Sequence, residues 1–462
     1  MRNTLALFLI LFTHQLFAQI PNKISDEDKV YGLSKFWQEV NYNFIYLDKV
    51  DKTEWNKLYK KLISEVQKTE NDYEYYRLLQ RFCASLKDGH TNVYFPKKIQ
   101  DSIYNTYFGE YRLFLSNIDG KAILTRVNAS KKEELPIGTE IIKVNGLTTQ
   151  KHLRKNVRPY IASSTDFIRD DWSIQRMLQG YVGTTFELQL KLPNGKIKTL
   201  KVTHSKTEEK EVFPPFEERE LLDFKWLEND VAYVALNSFS NWEISMKFKE
   251  IIPELKKAKK LIIDLRYNGG GSTNIGKEIF KHLTEDVVLY GSKTQSRLHI
   301  PSFKAWGKFA SEKDTINNAW QKKAFLSYKD EYYHDFEYYA DSISTDDLRL
   351  LKGNRIIVPT AILIGHNTAS AAEDFLIYAD KQKHMTKIGE PTFGSTGQPF
   401  MFDLPNGGGA RVCTKKDTYP DGREFVGYGI KPDIKVQKTL NDYLENKDPA
   451  LQKAIEFLMD QK

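Results

Sequence analysis

Two short apolar runs limit most of what this chain can fold into: Leu261-Ile262-Ile263-Asp264-Leu265 and, just after Val358-Pro359, Ile362-Leu363-Ile364. Apolar residues bounded by turn formers suit the interior of a sheet. Each run ends in turn chemistry and then passes to helical spacing. After the first comes Arg266-Tyr267-Asn268-Gly269-Gly270-Gly271-Ser272, with a helix predicted over Ile275 to Leu283. After the second comes Gly365-His366-Asn367-Thr368, then Ala372, Phe375, Leu376 and Ala379 at intervals that share one helix face. Upstream, Val231 to Leu236 reads as another strand and Ile251 to Ala258 as a helix. Strand and helix in alternation predict an α/β layer domain.

The two strand-to-helix turns hold the residues with chemical potential. Ser370 falls at a helix N-terminus, where free N–H groups and the helix dipole favour developing negative charge. The same position suits a serine acting only as an N-cap. Three glycines at 269–271 allow close backbone approach and can aim N–H groups at an anion, or can simply make a flexible connection. No Gly-Lys-Ser/Thr follows them, so they are not a Walker loop.

The flanks read differently. Asp26 to about Leu86 carries three apolar stripes at helical spacing: Trp37 and Val40; Trp55, Leu58, Leu62 and Val66; Tyr75, Leu78, Leu79, Phe82 and Leu86. This helical cap ends in Lys87-Asp88-Gly89-His90-Thr91, a turn where a histidine is well placed for function, although a lone histidine is a weak signal. Residues 107–204 are β-rich, with a hairpin at Pro193-Asn194-Gly195. Ser205 to Glu220, charged and holding Pro214-Pro215, reads as a linker. An aromatic-rich stretch from about 289 to 350 reads as an insertion, either covering a cleft or packed as a structural excursion, and Asn441 to Leu458 as an amphipathic closing helix.

Met1 to Gln19 has Arg2, an apolar run from Leu5 through Phe12 and a small residue at Ala18, which predicts a signal peptide over 1–18 and an exported chain, periplasmic or secreted. The full division is a helical domain with the His motif over 19–103, a β domain over 104–205, a linker over 206–220, an α/β core over 221–438 and a C-terminal helix over 439–462. No later run is long and apolar enough for a stable membrane insertion. The formal charge of +7 is dispersed among lysines and glutamates, giving no nucleic-acid footprint. Cys83 and Cys413 could form one disulfide, but one distant pair makes no framework, and two buried thiols is the preferred reading. Nine scattered histidines, with no His-Glu-x-x-His or Cys-x-x-Cys, suggest no metal.

Three segments in order carry a resemblance. Lys87-Asp88-Gly89-His90-Thr91, then Ile263 through Gly271, then Thr368-Ala369-Ser370-Ala371-Ala372-Glu373 with Gly389-Glu390-Pro391-Thr392-Phe393-Gly394, resemble the tail-specific (C-terminal processing) serine peptidase family. Gly138-Thr139-Glu140-Ile141-Ile142-Lys143-Val144-Asn145-Gly146 resembles a PDZ signature, and a PDZ-like domain ahead of the core matches that family. The resemblance implies a multidomain α/β fold with a crotonase/ClpP-like catalytic core, and a groove taking extended peptides by strand addition.

It also implies roles. In the Ser-Lys branch the base is a lysine directly after Thr-Phe-Gly; here that residue is Ser395, and neither Lys383 nor Lys387 fits. In the tricorn-core-like branch the base is a histidine upstream of the PDZ-like domain, which His90 matches. Ser370 is therefore the implied nucleophile and His90 the general base, with the Ala371 N–H and that of Gly269 or Gly270 as the oxyanion hole. That branch has a serine where this chain has Gly89, and a glutamate where it has Val426. Glu424, on the same strand face as Val426, is the implied orienter of His90, and Glu373 the alternative, with the glycine loop as the structure it would support. His366 reads as a turn residue, and His384 fits no motif. The expected activity is serine endopeptidase cleavage of unfolded or tail-exposed polypeptides, without a cofactor. A catalytically inactive homologue binding a peptide or hydrophobic ligand, like the retinoid-binding protein of the photoreceptor matrix that shares the core, is the alternative. A structural adaptor working through the PDZ groove is a third.

Overall fold

The computed structural model describes residues 23–336 and 340–461, so the signal-peptide expectation over 1–18 lies outside the described residues. The two apolar runs lie at the centre of a six-stranded sheet. Its order is Leu222–Leu227, Val231–Leu236, Lys260–Asp264, Thr360–Ile364, Met385–Gly389, Ile434–Lys435. The first pair is antiparallel and the rest are parallel, with Ile263 opposite Ile362 and Leu363 opposite Ile388.

Both faces of this sheet are covered, which explains why its three inner strands, Val231–Leu236, Lys260–Asp264 and Thr360–Ile364, are nearly continuous apolar runs. Val234, Ile263 and Ile362 point to a layer of helices Glu243–Leu255, Thr273–Phe280 and Ala371–Ala379, packing on Phe248, Ile279 and Phe375. Ile262, Ala361 and Leu363 point the other way, onto Ala450, Ala454 and Leu458 of helix Pro449–Asp460. The closing helix expected over Asn441 to Leu458 is two helices, Leu440–Leu444 and Pro449–Asp460. Asn446 adopts φ 51°, Pro449 has no N–H to continue the first helix, and Asp448 starts the second by accepting from Leu451 N at 3.0 Å.

Residues 107–203 form an antiparallel sheet in the order Ile197–Thr203, Thr185–Lys191, Glu140–Val144, Lys121–Asn128, Tyr111–Ile118, Tyr107–Phe108. Helix Asp166–Gln175 lies beside Tyr111–Ile118, where Asn117 Nδ2 donates to Asp171 Oδ1 at 2.7 Å. The expected linker is partly sheet: Val212–Phe213 pair with Asn128 and Val127.

Helices Asp26–Asn43, Lys52–Gln67 and Asp72–Ala84 make the N-terminal unit. Its core is completed by the far end of the chain. Phe36, Tyr76 and Phe82 pack with Leu404, Ala410 and Val412, and strand Asn92–Tyr94 pairs with Gly408–Cys413, placing Asn92 opposite Arg411. The aromatic-rich insertion leans on this unit rather than standing alone. Lys52 Nζ pairs with Asp330 at 2.9 Å, Arg297 donates to Asn41 O at 2.6 Å, and Lys293–Arg297 pairs with Lys416–Thr418. Cys83 and Cys413 are buried free thiols in the same core.

Candidate active site

The serine arm of the site is built from its own backbone. Ser370 adopts φ 56°, ψ −121° between strand Thr360–Ile364 and helix Ala371–Ala379. A left-handed φ is uncommon for a residue with a Cβ and persists only where surrounding structure enforces it. Several bonds do so here. Ala369 N donates to Asn268 O at 3.0 Å, Ser370 N donates to Glu373 Oε2 at 3.0 Å, and Glu373 N returns to Ser370 O at 2.7 Å. Ser370 thus occupies the N-cap position and is at the same time turned into a strained elbow.

The glycine loop touches that elbow. A Cβ on Gly270 would stand 2.7 Å from Ala369 O and 2.8 Å from Ser370 Cβ, at φ +96°. One on Gly271, at φ +137°, would stand 2.2 Å from Phe239 O. Asn268 fixes the loop by accepting from Gly270 N at 3.0 Å and donating to Leu236 O at 2.9 Å. The expectation that Gly270 offers its N–H to an oxyanion is therefore corrected, because that N–H is already spent on Asn268 Oδ1. The N–H groups of Gly269 and Ala371 donate no hydrogen bond among the described residues, and Gly269 lines the cleft beside Ser370.

His90 reaches the same cleft from the other end of the chain, together with Trp172, Tyr267 and Arg411. No hydrogen bond joins it to Ser370 among the described residues; its partner is Ser395, whose Oγ lies 2.6 Å from His90 Nδ1 and which is wholly buried. Gly89 makes this possible. A Cβ there would meet Phe393 at 2.9 Å and Ser395 Oγ at 3.0 Å, so a serine at 89 and a serine at 395 compete for one space. The β domain braces this arm: Gly89 N donates to Ser164 Oγ at 2.9 Å, and Trp172 packs on Phe393 with ring centroids 5.3 Å apart. Burial, then the Arg411 and Lys415 charges, push His90 down to about 4, so the imidazole is neutral at neutral pH.

The two carboxylates expected near His90 are elsewhere. Glu424 is paired with Lys416 at 2.6 Å and Lys49 at 3.1 Å, and both lysines hold it below the usual glutamate range. With its oxygens so engaged, and Ser395 on His90 Nδ1, Glu424 does not orient the histidine. Glu373 is wholly buried and accepts from Thr392 Oγ1 at 2.6 Å and Gly394 N at 2.8 Å as well as from Ser370 N. It ties Ser370 to the Thr392-Phe393-Gly394 segment, not to the glycine loop as expected. Burial raises it to about 8 against these donors.

Lys415 acts on His90 through its charge, and that charge is kept. Burial opposes its charge, but Asp417, 2.9 Å away, and Asp374 outweigh this and hold it above the ordinary lysine value. His366 is more than a turn residue. Its Nδ1 lies 2.6 Å from Asp171 Oδ2 and its ring stacks on Phe167 at 4.6 Å, joining the core to the β domain. His384 Nε2 lies 3.1 Å from Leu283 O, away from Ser370 and His90. Ser395 and Arg411 are the contributors that sequence reading did not assign. The one signal available for Ser395 was its place directly after Thr-Phe-Gly. Among the described residues no group of three or more His, Cys, Asp or Glu side chains could hold a metal ion, and no helix is long and apolar enough to cross a membrane.

Residues 230–436 match the sequence profile of Peptidase family S41. A carboxy-terminal processing protease, CtpA of Bacillus subtilis, is 23% identical over 397 residues, 84% of this chain and 69% of its own. A carboxyl-terminal-processing protease of Synechocystis is 24% identical over 226 residues, 48% of this chain; the match spans 41% of that relative's length. The structure of mature CPAF complexed with lactacystin aligns with a TM-score of 0.65 at 14% identity, covering 94% of this chain and 97% of that one, a likeness of fold. The mixed α/β multidomain architecture, the profile match over the Ser370-bearing core and these relatives agree: residues 230–436 carry the profile of peptidase family S41, and the chain is similar to the tail-specific or C-terminal processing proteases.

Proposed function

We propose that this chain is an exported serine endopeptidase that cuts unfolded or tail-exposed polypeptides through an acyl-enzyme. Ser370 Oγ attacks the scissile carbonyl while His90 takes its proton and then hands it to the leaving amine; water, deprotonated by the same imidazole, releases the acyl group and restores Ser370. Ala371 N–H and Gly269 N–H stabilise the oxyanion. The observation that carries this reading is the strained Ser370 elbow facing a neutral imidazole across one cleft, with Ser395 holding the far nitrogen. Hydrogen bonds between nucleophile and base commonly tighten only with substrate in place.

In this reading Ser395 replaces the carboxylate as the positioning residue. As acceptor it keeps the proton on Nδ1 and leaves Nε2 basic toward Ser370. The core is crotonase/ClpP-like, supported by a largely parallel sheet with helices on both faces. Residues 104–205 are a PDZ-like presenter, supported by the helix Asp166–Gln175 beside strand Tyr111–Ile118, a pairing suited to strand addition.

The test is cleavage of an unstructured polypeptide. Ser370→Ala and His90→Ala should each lose at least about a thousandfold in kcat/KM, and a serine-directed phosphonate should label Ser370 alone. Retention of activity in both variants removes the proposal. An unlabelled Ser370 in a chain that binds peptide without cutting it would assign the binding-protein alternative.

A further inference from the structure

The cleft of Ser370 abuts a second cavity of about 670 Å³, and Gln398 lines both. That volume is within the range of about 300–1,000 Å³ common for ligand sites. Its floor lies one helical turn beyond the nucleophile. Thr273 begins the helix that follows the glycine loop, and Asp374 stands four residues after Ser370, its N–H donating to Ser370 O at 3.1 Å. Lys415 forms one wall. The aromatic-rich insertion forms another, through Ser292, Thr294 and Ser296 on and just before strand Lys293–Arg297, and through Asp341. Core and insertion together therefore enclose a space beside the cleft, and Asp374 has no part in the chemistry assigned to Ser370 and His90.

Hydroxyls, amides and charged groups make up this lining, with Ala340 and Tyr378 as the exceptions. Its charges do not balance. Lys277 pairs with Asp341, and Lys415 pairs with Asp417, which is wholly buried behind it, at 2.9 Å. The third carboxylate, Asp374, is only 4% exposed and makes no ion pair among the described residues. It accepts from Thr273 Oγ1 at 2.5 Å and from Ser292 Oγ. Two cations thus face three carboxylates. Burying a carboxylate without a counter-charge is costly. Burial, and then the Asp417 charge, accordingly raise Asp374 above the ordinary aspartate value. A cation entering the cavity would relieve both effects and favour the ionised carboxylate.

We infer that this cavity is a specificity subsite that takes a lysine or arginine side chain of the substrate, with Asp374 receiving its charge. The inference rests on the Ser370–His90 peptidase reading, since it is the cleft that brings a polypeptide to the cavity. An apolar side chain would leave the lining hydroxyls and Asp374 shut away from water without new partners. An acidic one would add a fourth carboxylate. Repulsion from Lys415 and Lys277 is small, because each is already neutralised by its own aspartate. The subsite also gives the insertion a role: its strand Lys293–Arg297 walls off the place where one substrate side chain is chosen.

The test is mass-spectrometric mapping of the cuts made in a mixture of unfolded proteins. Lysine and arginine together are expected at one fixed position near the cut, enriched about fivefold or more over their background frequency. Asp374→Asn should remove most of that enrichment. Asn274→Lys should do the same by adding a cation at the rim, and as an exposed residue it leaves the core untouched should the buried substitution fail to fold. In parallel, immobilised Ser370→Ala protein is offered a random peptide mixture, and the retained peptides are sequenced. Basic peptides should be retained preferentially, and Asn274→Lys added to Ser370→Ala should abolish the preference. Cleavage or retention without a basic preference, a preference that Asn274→Lys leaves intact, or neither cleavage nor retention overturns the inference. Absence of cleavage by the unaltered chain, with basic retention that Asn274→Lys abolishes, would instead remove the peptidase reading and keep the subsite.

Discussion

The two arms of the site are assembled by different physics. Ser370 is positioned within a dozen residues of its own strand and helix, with the glycine loop of the adjacent parallel strand closing over it. His90 is positioned by partners far away in sequence: Arg411 and Cys413 through a strand pairing, Ser164 through the β domain, and Ser395 at the ring itself. The first arm is rigid because its backbone has no alternative. The second is adjustable, because single side chains decide its geometry and charge. Damage to the serine arm should therefore cost both fold and activity, whereas damage to the histidine arm should retune activity with the fold intact.

The largest effect belongs to the glycine loop. Gly270→Ala places a methyl against Ala369 O and Ser370 Cβ at a φ that disfavours any Cβ. It is expected to destabilise by about 2–4 kcal/mol and to lose activity almost entirely, read by thermal melting and peptide cleavage together. Full stability with activity lost would mean the loop serves chemistry alone, and the comparison between arms would fail.

Next comes Glu373, the carboxylate that joins the arms. Glu373→Gln puts two N–H donors where the protonated carboxyl has one O–H, among three groups that donate to this side chain, and should cost about 1–3 kcal/mol near neutral pH. Its pH dependence has a definite sign. The folded value near 8 exceeds the ordinary value of 4.5, so between them the folded chain keeps a proton that the unfolded chain has released. The stability this group contributes is whole below pH 4.5 and is lost as pH rises through 8. The amide cannot titrate, so the deficit of Glu373→Gln relative to the parent should shrink across that window in denaturant titrations.

That contrast also explains what could be read from sequence. Apolar runs ending in Gly269-Gly270-Gly271 and in Thr368-Ala369-Ser370 carry their structure locally, so the sheet, its helices and the turn at Ser370 are legible in the sequence. The environment of His90 is not. Glu424 looked suitable by strand alternation, but alternation fixes a face and not a partner, and Lys49, brought from the N-terminal helices, and Lys416 captured it. Gly89 looked like a loss until its missing side chain proved to be the space that Ser395 fills. Side-chain complementarity between positions 89 and 395 is invisible to periodicity, as is the break at Asp448-Pro449 that divides the closing helix.

The histidine arm itself is tested at Ser395. Ser395→Ala should lower kcat about tenfold with KM and melting temperature little changed. Ser395→Asp should instead move the acid limb of kcat/KM upward, since a carboxylate beside the ring favours the imidazolium. Gly89→Ser alone should crowd Ser395 and Phe393, and pairing it with Ser395→Gly should recover part of the loss. An unchanged pH profile in Ser395→Asp, with KM raised and kcat intact in Ser395→Ala, would assign Ser395 to packing only.

The smallest effect is expected at Arg411, which acts on His90 through charge and not through a bond to the ring. Its Nη2 donates to Gly89 O at a long 3.4 Å. Arg411 and Lys415 add to burial in holding His90 near 4. Removing one of two cations in Arg411→Gln makes the protonated ring less unfavourable, so its pKa rises while staying below the ordinary 6.5 set by solvent exposure. Activity above about pH 7 should be unaltered, because the ring is neutral in both proteins. Below that, the variant should fail at a higher pH than the parent, by less than about one unit. A limb that does not move would place the second charge, Lys415, in sole electrostatic control of the base; a limb that moves downward would mean that Arg411 stabilises the imidazolium through a contact other than repulsion, and the adjustable arm would then be tuned by structure and not by field.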